Sequence, residues 1–265
     1  MTDTTNASPR LAPTLPVEMI DAMRRRGMAA FSLTLAEARQ LTSHMRRLSL
    51  AVHGDDAFEP KPGQDMVFML PDETGELNRR HYSVRGFDRA ARRIEVDVVL
   101  HGGSTPGTRW ALDSKAGDAV TAFGPRGRNV IQHGADWRLF IGDETTLPPI
   151  FAMLETLQAG EKAHVILEVG DEGERQSVTT AGDVTFQWIF RGGRHAEASS
   201  PALIEALAGY EFPAGRGHIY LLGETSTIRR QRHDLLARGV AKEQIFGEGY
   251  WRPGRLGGHD HLEER

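Results

Sequence analysis

The six residues from Arg80 to Arg85, RHYSVR in one-letter code, combine side chains that could bind a phosphorylated ring. Alternation along an extended strand would place Arg80 and Tyr82 on one face and His81 and Ser83 on the other. An arginine can bind a phosphate through two hydrogen bonds, an aromatic ring can stack on a planar group, and a hydroxyl can bond a ring heteroatom. The same hexapeptide is equally consistent with an edge strand that carries a surface arginine and a half-buried tyrosine.

Two further segments could bind a ligand at the start of a helix. Gly107 and Thr108 open a short helical pattern, and N–H groups at a helix start suit a pyrophosphate, although an ordinary capped helix would have the same sequence. Residues 142–150, GDETTLPPI, follow an apolar strand and open another helix, which is where open α/β sheets bind ligands. This segment lacks the GxGxxG glycines and carries two acids that would repel a phosphate. Asp143 or Thr145 could therefore simply cap the helix.

The elements that must position these residues change in character near residue 130. Before it, short alternating runs separated by Gly, Pro and Asp predict an antiparallel six-stranded β-barrel, with one helix near residues 108–114. After it, strands alternate with helices, which predicts a doubly wound parallel sheet. We therefore predict a two-domain chain with a flexible N-terminal segment (1–28), a β-barrel domain (29–134) and an α/β domain (135–265).

Composition excludes several classes of protein. The 265 residues contain no cysteine, which excludes disulfides, thiolate-ligated iron–sulfur clusters and a cysteine nucleophile. The formal net charge is −4 and the arginine clusters are scattered, so we expect no nucleic-acid partner. We expect no membrane insertion, because no apolar run approaches about 20 residues, and a cytoplasmic location, because no signal-peptide pattern is present. The histidines lack metal-ligand spacing, so no protein-bound metal is expected.

Six segments in order resemble the siderophore-interacting proteins, a family of the ferredoxin–NADP reductase superfamily. They are RHYSVR (80–85), the segment from His101 to Trp110-Ala111, GPRG (124–127), GDETTLPPI (142–150), GE (223–224) and GYWRPG (249–254). One such motif would be weak evidence, whereas six in order across residues 40–255 are specific. The resemblance implies a ferredoxin–NADP reductase-like fold, an antiparallel barrel followed by the parallel-sheet domain.

The resemblance also implies an activity, that of an NAD(P)H-dependent flavin oxidoreductase. FAD would lie on the barrel, NADH or NADPH would donate electrons, and a ferric siderophore or other ferric chelate would be reduced so that iron leaves as Fe(II). The flavin would convert between the two electrons of a hydride and the single electron that Fe(III) accepts. Two alternatives remain: a flavin or ferredoxin reductase that passes electrons to a partner such as a ferredoxin, and a binding module that holds a ferric siderophore without redox chemistry.

By the same resemblance, Ser83 near the flavin N5 and Asp143 near the nicotinamide would be catalytic, with Arg80 on the phosphate and Tyr82 against the isoalloxazine. The remaining expected cofactor-binding residues are His81, Val84, His101, Gly107, Thr108, Trp110, Ala111, Thr145, Tyr250 and Trp251.

Substrate binding is expected to need a basic patch, because an anionic ferric siderophore would meet a negatively charged protein. The expected patch is Arg126, Arg252 and Arg255. The chain departs from many members of the family in the strand before RHYSVR, where they carry a lysine. That strand reads GQDMVF here, residues 63–68, with Lys61 the nearest lysine. The departure concerns the substrate class more than the redox chemistry.

Overall fold

A computed structural model describes residues 9–54, 57–102, 105–254 and the backbone of 260–261. The first half forms one antiparallel sheet in the strand order β4-β3-β7-β1-β2-β6-β5. Its strands are β1 (Ala29–Thr42), β2 (Met45–His53), β3 (Asp65–Pro71), β4 (Leu77–Ser83), β5 (Gly86–Asp88), β6 (Arg93–Val99) and β7 (Ala119–Arg126).

This sheet curls into a barrel because its two edge strands, β4 and β5, are consecutive in the chain. Only Val84 and Arg85 separate them, and the Arg85 amide donates to the Glu95 carbonyl of β6 at 2.8 Å. Alternate residues of β1, including Leu33 and Leu35, point into the barrel core. The sequence predicted six barrel strands, and the structure adds β5, whose three residues are too few to show an alternating pattern.

The N-terminal segment packs against the barrel. Helix α1 (Val17–Arg25) places Met23 against Val67, Met69 and Phe123, while the Arg10 carbonyl accepts a hydrogen bond from Ala119 at 2.8 Å. Residues 9–28, part of the segment that we predicted to be flexible, therefore contact the barrel through apolar side chains and through a hydrogen bond with β7. Residues 1–8 lie outside the described residues.

The second half is a six-stranded sheet in the order β10-β9-β8-β11-β12-β13, parallel except for the antiparallel pair β12 and β13. Its strands are β8 (Trp137–Asp143), β9 (Lys162–Val169), β10 (Asp183–Phe190), β11 (Gly217–Glu224), β12 (Ile245–Trp251) and β13 (Asp260–His261). Its helices are α3 (Leu147–Leu154), α4 (Pro201–Ala208) and α5 (Thr225–Ala237), and α2 (Pro106–Asp113) belongs to the barrel.

Helices cover both faces of this parallel sheet, as predicted. Phe140 packs with α3 on one face, whereas its neighbours Leu139 and Ile141 pack with α4 and α5 on the other. Helix α3 ends at Leu154. Among the described residues, no helix is long and apolar enough to cross a membrane.

Polar contacts that involve Arg85, Glu174 and Asn129 help to connect the barrel to the α/β domain. Arg85 forms a two-point ion pair with Glu155 at the end of α3, at 2.5 and 2.9 Å. The turn between β1 and β2 binds the buried Glu174 carboxylate, to which the His44 amide donates at 3.1 Å. Asn129 Nδ2, after β7, donates to Glu248 Oε2 of β12 at 2.6 Å. These contacts bring the end of β4 close to the end of β12.

Candidate functional site

Tyr82 is held in a cluster of rings between β4 and α2. Its ring lies 5.7 Å from that of Trp110 in a stacked arrangement and 5.3 Å from that of Phe68, edge to face. Burial raises the pKa of its hydroxyl, while the charge of Arg80 acts to lower it. A Cβ on Gly107 would lie 2.3 Å from Tyr82 Oη, so only glycine allows this close approach.

The start of α2 lies beside Arg80. A Cβ on Gly107 would also lie 3.9 Å from Arg80 Cγ, so the guanidinium stem passes the first turn of the helix. Thr105 caps α2 by accepting from the Thr108 amide at 3.3 Å, and Pro106 occupies the first helical position. The helix therefore begins two residues earlier than the sequence predicted. A cation beside a helix start is an arrangement that binds phosphate.

Ser83 ends β4 and presents a buried hydroxyl toward the α/β domain. Its Oγ forms no hydrogen bond of regular geometry among the residues that the structure describes. Its polar neighbour is the Tyr250 phenol, whose pKa is raised well above the ordinary value by burial and by Glu248, while the contact with the Ser83 hydroxyl acts to lower it. A buried polar atom without a partner has a free-energy cost of about 1–3 kcal/mol, which a ligand atom would remove.

His81 and Arg126 meet at a buried aspartate that the sequence analysis did not identify as a site residue. His81 Nδ1 lies 2.7 Å from Asp65 Oδ2, and Arg126 Nη1 lies 3.3 Å from the same oxygen and 2.8 Å from His81 Nδ1. The ring nitrogen can donate to Asp65 or accept from Arg126, according to its tautomer. Arg126, expected to be a basic substrate contact, is therefore ion-paired.

The GDETTLPPI segment forms a buried, internally bonded turn. Asp143 Oδ1 accepts from the Thr145 amide at 2.9 Å and hydroxyl at 2.5 Å, and Asp143 Oδ2 accepts from Trp251 Nε1 at 2.8 Å. Burial and then the Glu144 carboxylate raise the pKa of Asp143 to about 6, against these hydrogen bonds. Asp143 thus caps the turn and fixes the Trp251 ring, so the expected capping role is present.

The neighbouring acids at the same edge of the sheet are also paired. Glu144 binds Arg191 at 2.5 and 2.9 Å, and Arg191 lies 3.8 Å from Glu168. Glu224 accepts from the amides of Ser226 and Thr227, both at 2.8 Å, at the start of α5. The edge where parallel sheets commonly bind ligands therefore has its buried charges satisfied within the protein.

The remaining predicted residues have different surroundings. Val84 and Ala111 are buried in the barrel core, whereas His101 lies exposed before α2. Arg252 is exposed after β12. Arg255 lies outside the described residues.

The structure also identifies residues that sequence reasoning missed. Asp65 and Glu248 are buried acids whose charges act on the Tyr250 phenol, Asn129 donates to Glu248, and Arg191 binds Glu144. Asp65 lies in the segment 63–68, where many members of the family carry a lysine, and this missing lysine was the one sequence signal that could have identified it. Asn129, Glu248 and Arg191 are polar residues whose sequence surroundings do not distinguish them from surface residues.

Taken together, the region between β4, α2 and β12 fits a flavin nucleotide. Arg80 and the start of α2 suit its phosphates, Gly107 allows the Tyr82 hydroxyl to approach the helix closely, and Ser83 offers a buried hydroxyl that forms no regular hydrogen bond among the described residues. The fit rests on the donor set and not on one motif.

Comparison with known proteins supports this assignment. Residues 63–129 match the siderophore-interacting FAD-binding domain family and residues 135–254 the siderophore-interacting protein family. A protein of Mycobacterium tuberculosis without a described function is 32% identical over 262 residues, covering 86% of this chain and 92% of its own. Ferric vibriobactin reductase of Vibrio cholerae is 28% identical over 179 residues, covering 66% of this chain and 65% of its own.

A solved structure extends the likeness to the whole fold. The siderophore utilization protein from T. fusca superposes with a TM-score of 0.79 at 29% identity, covering 88% of this chain and 96% of that chain. The predicted ferredoxin–NADP reductase-like architecture, with its barrel followed by a parallel sheet, is confirmed. The chain belongs to the siderophore-interacting protein family.

Proposed function

We propose that the protein is an FAD-dependent ferric-siderophore reductase that takes electrons from NADH or NADPH and releases iron as Fe(II). The observation that carries the proposal is the buried Ser83 hydroxyl, which forms no regular hydrogen bond among the described residues and follows directly after Tyr82, whose hydroxyl packs closely against Gly107. The family of the barrel domain and the activity of the Vibrio cholerae relative support the same conclusion.

Arg80, Gly107 and Tyr82 would hold the flavin nucleotide. The Arg80 guanidinium would bind a phosphate oxygen through charge-assisted hydrogen bonds, with the N–H groups of the first turn of α2 beside it. When bound, FAD supplies the exchange between a two-electron hydride and the single electron accepted by Fe(III). The barrel residues supply the position of the ring and a water-poor surrounding.

Ser83 and Tyr250 would orient the reactive edge of the ring. The Ser83 hydroxyl can donate to a ring nitrogen, and the Tyr250 phenol stays protonated because its pKa is raised well above its ordinary value by burial and by Glu248. Asp143 would act as a positioning residue, since its carboxylate holds the Trp251 indole at 2.8 Å beside Tyr250. We expected Asp143 to be catalytic, and we now propose that it acts indirectly, by positioning the Trp251 ring.

Iron release follows from the substrate's own coordination chemistry. Oxygen chelators bind Fe(II) much more weakly than Fe(III), because the lower charge weakens its attraction to hard anionic ligands. The protein would therefore need to present the chelate to the reduced ring, without a protein ligand to the metal. The chelate surface, not the metal, would be what the site recognises.

The visible spectrum of the purified protein, followed by anaerobic titration with NADH and NADPH, tests the proposal. We expect flavin absorbance, release of FAD and not FMN on heating, bleaching by one of the two donors, and Fe(II) captured by a chromogenic Fe(II) chelator when a ferric siderophore is added. A protein that binds ferric siderophore but no flavin would be a binding module. Reduction of free flavin or a ferredoxin, without reduction of ferric chelates, would identify the electron-transfer alternative.

A further inference from the structure

We propose that Asp65 determines substrate specificity by neutralising Arg126, so that the site accepts neutral ferric trishydroxamates in preference to trianionic ferric triscatecholates. The inference rests on the proposed function, whose substrate class it narrows. The sequence led us to expect that Arg126 belongs to a basic patch that binds an anionic substrate, whereas in the structure Arg126 is ion-paired with Asp65.

Strand register places Asp65 between the flavin strand and the GPRG turn. Asp65 lies directly opposite Ser83 of β4 and directly opposite Arg126 of β7. Residues directly opposite each other in neighbouring strands point to the same face of a sheet. Ser83, Asp65 and Arg126 therefore form a row across three strands, on the face that Tyr250 approaches from β12.

The ion pair in this row is well shielded from water. The side chain of Asp65 is 3% exposed and that of Arg126 is 20% exposed, with 3.3 Å between Oδ2 and Nη1. His81 Nδ1 occupies a position 2.7 Å from the same carboxylate oxygen. A guanidinium paired at this depth offers little uncompensated positive charge to a ligand.

A second buried acid lies near the row. Glu248 is 4% exposed and accepts from Asn129. Burial raises the pKa of Tyr250 most, and Glu248 and Asp65 raise it further, whereas Arg126 acts to lower it. The carboxylates of Glu248 and Asp65 therefore both lie near the Tyr250 phenol, as the Arg126 guanidinium does. Arg252, the other described member of the expected patch, is exposed and subject to screening by salt.

The charge of a ferric chelate depends on its donor groups. Three hydroxamates carry one negative charge each and cancel the charge of Fe(III), whereas three catecholates carry two each and leave a trianion. A trianion brought to this row would meet a cation that is already paired and a buried carboxylate beside it. Such like-charge contacts in a shielded site lower the affinity for the anionic ligand.

Binding of redox-inert gallium complexes tests the proposal apart from catalysis. The flavin-loaded protein would be titrated with Ga(III)-ferrichrome, which is neutral, and with Ga(III)-enterobactin, which is trianionic, while tryptophan fluorescence is followed. We expect Ga(III)-ferrichrome to bind about tenfold more tightly than Ga(III)-enterobactin, a difference of about 1.4 kcal/mol in binding free energy. The enterobactin affinity should also change little between low and high salt.

Variants assign the preference to Asp65. Asp65→Asn should strengthen Ga(III)-enterobactin binding about tenfold and make it strongly salt-dependent, because Arg126 then loses the Asp65 carboxylate that lies 3.3 Å from it. The double variant Asp65→Asn/Arg126→Gln should lose that gain. Asp97→Asn is the matched control, since Asp97 is another buried barrel aspartate paired with an arginine, Arg47, at 2.6 Å. It should leave the ratio of the two affinities unchanged.

The outcomes separate this inference from the proposed function. Tighter binding of Ga(III)-enterobactin by the parent protein, with a steep salt dependence, would overturn the role of Asp65, and so would an unchanged ratio in a folded Asp65→Asn variant. If that variant does not fold, the salt profile of the parent decides. Failure of the reduced, flavin-loaded protein to reduce either ferric complex would instead overturn the reductase assignment, while the gallium titrations would still measure charge preference.

Discussion

The barrel edge at Ser83 and the carboxyl edge of the parallel sheet at Asp143 both place polar groups out of contact with water, but they satisfy them differently. At the barrel edge the Ser83 hydroxyl forms no regular hydrogen bond among the described residues, and the Tyr82 ring is approached closely by a glycine. At the sheet edge Asp143 accepts three hydrogen bonds from its own turn and from Trp251. We therefore propose that the first edge binds a ligand, whereas the polar groups at the second edge stabilise the protein itself.

This difference corrects a general expectation about open parallel sheets. Their carboxyl edge is the usual ligand site, and the acids there are often read as catalytic. Here the Glu224 carboxylate accepts hydrogen bonds from the amides at the start of α5. Burial acts to raise the pKa of Glu224, but its hydrogen bonds with Ser226, Ser199 and Thr227 lower it. The position of an acid at the carboxyl edge of the sheet therefore does not make it a ligand-binding group, because its oxygens can already be bound by hydrogen bonds within the protein.

Arg80→Ala should produce the largest effect if the barrel edge holds the flavin. Losing a charge-assisted phosphate contact of about 1.5–3 kcal/mol would weaken FAD binding roughly 10- to 100-fold. Equilibrium dialysis of FAD against the apoprotein measures this directly. Arg79→Ala removes the exposed neighbouring arginine of the same strand and should leave the affinity unchanged. Equal losses in both variants would show a general electrostatic effect and not a site.

Asp143→Ala should lower stability while leaving flavin content normal. The substitution removes the acceptor of three hydrogen bonds and leaves the Trp251 indole N–H without its partner, at a cost of about 1–3 kcal/mol. Urea unfolding and the FAD-to-protein ratio check the two halves of this prediction. Loss of flavin with unchanged stability would show that Asp143 supports flavin binding and not the stability of the fold.

The pH dependence of stability provides a third, smaller test of the same carboxyl group. Because the native pKa of Asp143 is raised to about 6, the native state holds more protons than the unfolded state between about pH 4 and 6. The Asp143 contribution is therefore fully present below that range and decreases as pH rises through it, by about 3 kcal/mol at most. Asp143→Asn should flatten this part of the profile of unfolding free energy against pH.

Ser83→Ala should have the smallest effect on binding and act mainly on the rate. Flavin affinity should change less than about threefold, whereas reduction by the nicotinamide donor should slow several-fold, because one oriented hydrogen bond is lost at the reacting edge. Stopped-flow anaerobic reduction separates the two quantities. Ser83→Thr keeps the hydroxyl and should retain the parent rate. Unchanged kinetics in the alanine variant would make Ser83 an ordinary strand residue.

Several parts of the fold were readable from the chain because they depend on local patterns. Alternating residues around Leu33 and the change to alternating strands and helices after residue 130 predicted a barrel followed by a parallel sheet, and the structure confirms both. The three-residue strand β5 was not readable, since it pairs with β6 without any alternation of its own.

By itself the sequence determined the order of the elements, the absence of cysteine chemistry and the side chains of the RHYSVR strand, because each depends on residue type and short-range spacing. Only the tertiary structure decided which of those side chains remain available. Arg126 and Asp65 are 61 residues apart and meet because β7 pairs with β3, and a shift of one residue in that register would separate them. Charge compensation between distant strands is a property of that pairing, which no local pattern encodes.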